Sequence, residues 1–298
     1  MKLGYIGLGK MGVGMVEQLL EKRYSLVLFD KDQKAAEQEM WKGATMAQSL
    51  WNVIEMLERP RLIWLMVPHA AVDDVLKDII PLLHEGDTII DGGNSFYKDS
   101  QRRYKELAER DIHFLDAGVS GGPRGAREGA CVMVGGNEED YKKYEHLFRD
   151  IAAERAYAYM GPAGAGHFVK MVHNGIEYGM MQSLAEGFEV LKKAPYSLNL
   201  SEIARLYNER SVIESRLVGW LKEAYKTYGE DLTEVSGSVG QTGEGMWTVQ
   251  TAKELSIPVS AIETSLAFRN QSATHPSYTG KVLSALRNTF GGHDIKSL

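Results

Sequence analysis

Leu3-Gly4-Tyr5-Ile6-Gly7-Leu8-Gly9-Lys10-Met11-Gly12 decides the fold class. A β-rich apolar run ends at Ile6, G-x-G-x-x-G follows at once, and Met11–Lys22 then carries helical periodicity. Between a strand and a helix, this pattern reads as a phosphate cradle. Gly7 permits a tight turn, Gly9 lets backbone approach a pyrophosphate, and Gly12 allows the helix to pack closely on the strand. Leu8, Lys10 and Met11 fill the rest of the loop, and the helix start offers N–H donors and a positive dipole end. A plain βα turn with incidental glycines is the competing reading. Asp30 closes the next predicted strand, where the acidic residue of a dinucleotide site bonds the ribose hydroxyl. A carboxylate there repels a 2′-phosphate, so NAD rather than NADP is expected, although Lys31 next to it could serve that phosphate instead.

Outward from this unit, the pattern repeats. Leu26–Phe29, Leu62–Val67, Thr88–Ile90, His113–Leu115, Cys131–Val134 and Ala156–Tyr159 read as strands, several apolar throughout as in strands buried on both faces. Ala71–Leu83, Ser100–Arg110 and Glu138–Ile151 read as helices between them. The alternation predicts an α/β, doubly wound, Rossmann-type parallel sheet over residues 1–161. Residues 162–298 lose the strand texture and predict an all-helical domain. Its helices fall at Ala165–Lys192, Ser201–Asn208, Ser215–Tyr228, Thr248–Glu254 and Lys281–Asn288.

Composition agrees with two domains: 298 residues, 44% hydrophobic and 25% charged, are ordinary for a globular chain. A net charge of −6 argues against nucleic-acid and anionic-membrane partners, and requires a local basic pocket for any anionic substrate. The single cysteine, Cys131, can form no intramolecular disulfide and no zinc cluster, and is expected as an inert buried thiol. No metal site is expected. The first residues lack the apolar core of a secretory signal, and no apolar run approaches the roughly 20 residues of a spanning helix, so a cytoplasmic location is expected.

Four further constellations carry chemistry. Asp91-Gly92-Gly93-Asn94-Ser95 follows a strand, placing Asn94 where ligands lie in open α/β sheets; a β-turn is the alternative. Ser120-Gly121-Gly122 follows another strand, and its glycines can expose N–H groups to a small anion unless they form only a wide turn. In His167-Phe168-Val169-Lys170-Met171-Val172-His173-Asn174-Gly175-Ile176-Glu177-Tyr178, Lys170 and Glu177 fall almost on one helix face, about 10.5 Å apart along the axis. Asn174 shares the stripe and His173 lies beside it. The flanking apolar residues are too hydrophobic for a solvated face, and a half-buried lysine has a depressed pKa suited to general-base work. Near the carboxyl end, Arg269 and Arg287-Asn288-Thr289-Phe290-Gly291-Gly292-His293 suit a phosphate or carboxylate anchor, although on these residues alone surface salt bridges are the plainer reading.

Taken together, the glycine fingerprint, Asp91–Ser95, Gly118–Gly122, Gly164–Tyr178 and Arg287–His293 resemble the decarboxylating 6-phosphogluconate dehydrogenases, in a short form. The resemblance implies Lys170 as the base at the substrate 3-hydroxyl and Glu177 as the acid that protonates C1 after carbon dioxide leaves. It implies Met11, Met66 and Val67 in the loops lining the nicotinamide. Asn94, Ser120, Gly121, Gly122, His173 and Asn174 match positions for the substrate carboxylate and hydroxyls; Tyr178, Arg269 and Arg287 match phosphate contacts, and His293 a substrate-site position. Arg287 and His293 would come from a second subunit, implying a homodimer or homotetramer whose carboxyl-terminal residues complete a neighbour's site.

The departures are specific. Thr242 stands where long members carry a phosphate-binding lysine and Glu244 where they carry a threonine, so phosphate grip falls on Arg269 and Arg287. Asp30-Lys31-Asp32 replaces the Asn-Arg-Thr of NADP-dependent members, consistent with NAD. Two alternatives stay open: a non-decarboxylating β-hydroxyacid dehydrogenase, such as a 3-hydroxyisobutyrate dehydrogenase, and a dinucleotide-binding module without turnover.

Overall fold

The computed structural model describes residues 1–32, 43–240 and 243–295. Two compact units divide the chain, Met1–Lys170 and Met171–Leu298.

The first unit is an eight-stranded sheet: β1 (Lys2–Ile6), β2 (Ser25–Phe29), β3 (Thr45–Met46), β4 (Leu62–Leu65), β5 (Thr88–Asp91), β6 (His113–Ser120), β7 (Ala130–Gly136) and β8 (Ala152–Gly161), in the order β3-β2-β1-β4-β5-β6-β7-β8. Every pairing is parallel except β6 with β7. The strand order reverses between β1 and β4, the switch point where a doubly wound sheet opens a ligand crevice. Leu62–Leu65 is buried at every position because helices cover both faces.

One face carries α1 (Lys10–Glu21), α5 (Gly122–Glu128) and α6 (Glu138–Ile151) over a core that includes Met15, Leu19, Trp64 and Phe148. The other carries α2 (Leu50–Glu55), α3 (His69–Ile79) and α4 (Tyr97–Ala108) over Ile54, Val72, Leu107 and Phe114. The Asn137 side chain caps α6 by accepting from Glu139 and Asp140 N–H, and the acids of its first turn suit the helix dipole. The helix expected over Ala71–Leu83 ends at Ile79 and continues as a 3-10 turn, Ile80–Leu82, because Pro81 cannot continue the α ladder.

A 29-residue helix, α7 (Ala165–Lys193), starts in the first unit and continues into the second. The second unit adds α8 (Leu200–Tyr207), α9 (Arg216–Tyr228), α10 (Glu244–Glu254), α11 (Ser260–Ser272) and α12 (Tyr278–Gly291). They enclose Phe188, Leu221, Tyr225, Leu283 and Leu286. Asn199, Ser215 and Ser277 cap α8, α9 and α12 through their side chains. No helix among the described residues is long and apolar enough to cross a membrane.

Cys131 corrects one expectation: it is exposed. It lies in β7 between buried Ala130 and Val132, and strand alternation turns its side chain to the face opposite theirs.

Candidate active site

The crevice begins with the glycine loop. Gly7 adopts φ +105°, and a Cβ there would fall 2.4 Å from the Met66 carbonyl oxygen, so only glycine fits. A Cβ at Gly12 would likewise fall 2.2 Å from the Gly7 carbonyl oxygen, because α1 packs hard against the turn. A Cβ at Gly9 would meet nothing within 4 Å among the described residues, and no side chain caps the helix it opens, leaving room for a dinucleotide pyrophosphate. Lys10 is exposed and Met11 half-buried at the same mouth. One Asp30 oxygen accepts the Leu8 N–H at 2.6 Å and the other the Asp32 N–H at 2.8 Å, fixing the carboxylate at the end of β2. The loop after β4 joins this wall: Met66 donates its N–H to Ile6, and the Val67 carbonyl lies 2.7 Å from a Cβ at Gly93.

The Asn94 loop is held from below. Buried Asp91 accepts from Gly93 N–H at 3.0 Å and Ser95 Oγ at 2.8 Å, bracketing half-buried Asn94. After β6, half-buried Ser120, Gly121 and Gly122 do not form a wide turn; they lead straight into α5. Strand β6 also runs five residues past the expected Leu115, and those residues fasten α7. Asp116 accepts Gly164 N–H at 2.7 Å and His167 N–H at 2.8 Å, capping the helix from a neighbouring strand. Burial pushes the Asp116 carboxyl up, and the His167 contacts and backbone donors oppose the rise.

Lys170 is 8% exposed, more deeply set than the expected half-buried lysine. Its stem lies on β6: a Cβ at Gly118 would fall 2.4 Å from Lys170 Cβ and 3.1 Å from its Cγ. Gly166 makes the same approach possible, since a Cβ there would fall 2.4 Å from the Met133 carbonyl oxygen.

In the second unit, His173 Nδ1 lies 3.1 Å from Asn174 Oδ1 and 3.7 Å from Glu177 Oε2. Asn174 is buried, whereas Ile176 is 53% exposed, contrary to the expectation that the apolar residues around the polar stripe are covered. The Arg269 guanidinium stacks 3.4 Å from the centre of the Tyr178 ring, and a Cβ at Gly245 would meet that ring at 2.5 Å.

Arg269 is 3% exposed and Arg287 9%, which overturns the reading of surface salt bridges. Neither forms an ion pair among the described residues, and burial pulls Arg269 down to about 10, still charged at neutral pH. Arg287 lowers Arg269 further, while Tyr178, Glu177 and buried Glu244 favour both cations. Two desolvated guanidiniums beside one phenol make a receptor for a compact anion. Arg287 thus interacts with Tyr178 of its own chain, and a Cβ at Gly240 would fall 3.2 Å from its Nη1, where the resemblance implies a second subunit as its destination. His293 is half-buried just beyond α12, with its carbonyl accepting from Asn288. Thr242 lies outside the described residues.

The domain family described as the NAD binding domain of 6-phosphogluconate dehydrogenase matches residues 2–161, and the one described as 6-phosphogluconate dehydrogenase, C-terminal domain, matches residues 166–288. The chain belongs to the 6-phosphogluconate dehydrogenase family. Among relatives, it is 48% identical over 293 residues to a provisionally named 6-phosphogluconate dehydrogenase, YqeC, of Bacillus subtilis (strain 168), covering 98% of both chains. It is 39% identical over 297 residues to the NAD(+)-dependent, decarboxylating 6-phosphogluconate dehydrogenase of Haloferax volcanii, covering 99% of this chain and 98% of that one. The Plasmodium falciparum 6-phosphogluconate dehydrogenase structure superposes with a TM-score of 0.82 at 29% identity, over 100% of this chain and 66% of that chain. This family member therefore carries an NAD(P)-binding Rossmann domain followed by the helical domain.

Sequence reasoning missed Asp116 as the cap of α7 and the buried polar residues Ser100 and Arg103 of α4. Asp116 and Gly118 look like loop residues, and a buried hydroxyl or guanidinium on a helix has no periodic signature. The one available signal was an acid and a glycine directly after an apolar strand.

Proposed function

We propose that this chain oxidises and decarboxylates 6-phosphogluconate to ribulose 5-phosphate and carbon dioxide, with NAD as its cofactor. The observation that carries this reading is Lys170, a buried amine whose stem is pressed onto Gly118 at the head of a capped helix. Gly7, Leu8, Gly9, Lys10, Met11, Gly12, Asp30, Met66, Val67 and Asn94 would hold the dinucleotide. When bound, NAD accepts the hydride from substrate C3.

Lys170, as the free amine, takes the proton of the 3-hydroxyl while C3 becomes a carbonyl. A carboxylate β to that carbonyl breaks its C–C bond readily, and the electron pair moves into an enol whose oxygen receives the proton back from Lys170. Glu177 then protonates C1 while the Lys170 amine takes the enol O–H proton back, giving the ketose. His173, 3.7 Å from Glu177, steadies that carboxyl group, and Asn94, Ser120, Gly121, Gly122 and Asn174 orient the carboxylate and hydroxyls. Tyr178, Arg269 and Arg287 take the phosphate, with His293 at the edge of the site.

Initial rates with 6-phosphogluconate and NAD or NADP side by side test the reading. NADH and carbon dioxide should appear one for one, with NAD preferred; NADH without carbon dioxide would leave a simple β-hydroxyacid dehydrogenase. Asp30→Ser should lower the NAD-to-NADP ratio of kcat/KM by about 10-fold or more, because the fixed carboxylate no longer repels the 2′-phosphate. An unchanged ratio places cofactor choice elsewhere.

Arg287→Ala should raise KM for 6-phosphogluconate by about 10-fold or more, the loss of a charge-assisted contact, and leave NAD affinity alone. The reading includes a homo-oligomer. Mixed Lys170→Met and Arg287→Ala chains that regain activity would show Arg287 serving a neighbour, whereas no recovery keeps it with its own chain's Tyr178.

A further inference from the structure

Ser100 and Arg103 lie three residues apart on the buried face of α4, and both are inaccessible to solvent. Ser100 Oγ lies 2.7 Å from His167 Nδ1. His167 is 1% exposed, and among the described residues its Nε2 has no hydrogen-bond partner and the Ser100 hydroxyl is the one polar anchor of the ring. The His167 N–H is given to Asp116, and Lys170 follows three residues later on α7. Gly164, at the entry to that helix, packs so tightly on α4 that a Cβ would fall 2.9 Å from the Tyr97 carbonyl oxygen.

Arg103 reaches the other reacting element. Its Nη1 donates to Asp91 Oδ2 at 3.2 Å and to Ser95 Oγ at 3.2 Å, while its Nε donates to Asp73 at 2.7 Å. Asp91 and Ser95 bracket Asn94, and Asp91 is the register partner of Asp116 on the adjacent strand. One helix face therefore braces both the turn that leads to Lys170 and the loop that carries Asn94.

We propose that Ser100 and His167 are positioning residues for Lys170, and that α4 sets the lysine in register with the Asn94 loop. This rests on the reading of Lys170 as the base. The imidazole is a buried spacer between α4 and the first turns of α7. With the hydroxyl gone, both ring nitrogens are buried without partners, so the ring reorients and the turn bearing Lys170 moves with it. A small displacement of a reacting group costs turnover far more than it costs binding.

The test uses the full chain with Ser100→Ala and Ser100→Thr, following kcat, KM, NADH affinity by fluorescence, thermal midpoint and the rate at which trinitrobenzenesulfonate labels Lys170, read by peptide mass spectrometry. Ser100→Ala should lower kcat by about 10- to 100-fold, with KM and NADH affinity within about twofold, and change the Lys170 labelling rate at least about threefold. Ser100→Thr, which keeps the hydroxyl, should recover most of both. If Ser100→Ala does not fold, His167→Leu is read in the same way against His167→Asn, which keeps a polar atom near the Nδ1 position.

Unchanged kcat and labelling, or NADH affinity falling in step with kcat, would overturn the positioning role. A wild-type chain that does not turn over 6-phosphogluconate would instead refute the proposed reaction, and the labelling rates would still decide the role of Ser100.

Discussion

Lys170→Met should lower kcat with 6-phosphogluconate by roughly 10⁴-fold while NADH affinity stays within about twofold. Lys170 is asked to take a proton, return it to the enol oxygen and supply positive charge beside that oxygen, and methionine does none of these. The substitution is nearly isosteric at a buried position, so the side chain's volume is kept while its amine is removed. Steady-state kinetics, NADH fluorescence titration and a melting curve separate the outcomes. A loss smaller than about 10-fold would move the base to another residue and remove the mechanistic core of the reading.

The second large effect is steric. Gly118→Val should lower stability by about 1–3 kcal/mol and cut kcat by about 100-fold, because the strand can no longer approach the helix. Even an added Cβ would lie 2.4 Å from Lys170 Cβ and 3.0 Å from the Gly166 carbonyl oxygen, and backbone on both sides limits relaxation. Gly9→Ala is the matched control for the sheet's packing, since its Cβ meets nothing within 4 Å and the melting temperature should not change. Gly118→Val at wild-type activity and stability would mean that the close approach of β6 and α7 does not hold the lysine.

The βα alternation was legible because fully buried strands are apolar throughout and their helices keep a 3.6-residue period. Helix α6 was read to its observed ends, since Asn137 and three acids mark its start. Helix α5 was not read, because Gly121, Gly122 and Pro123 spell a turn even when they open a helix. Short elements such as β3 and α2 hold too few residues for any period to show. Helix α11 was missed for a sharper reason. Its buried positions are Ser265, Arg269 and Ser272, so the face turned inward is polar and leaves no hydrophobic stripe. The same residue, Arg269, was visible as an anion anchor by type but not by environment.

Local sequence alone determined the strand-loop-helix that cradles a dinucleotide, the two-part organisation, and the spacing of Lys170, His173, Asn174 and Glu177 along one helix. Each depends on neighbours within a few turns of the chain. Tertiary structure alone decided which polar groups are desolvated and what they meet: Asp116 capping a helix 48 residues away, Ser100 against His167 across 67 residues, and Arg269 stacked on Tyr178. Burial and hydrogen-bond partners belong to the packed chain, because the groups that remove water from a side chain are distant from it in sequence.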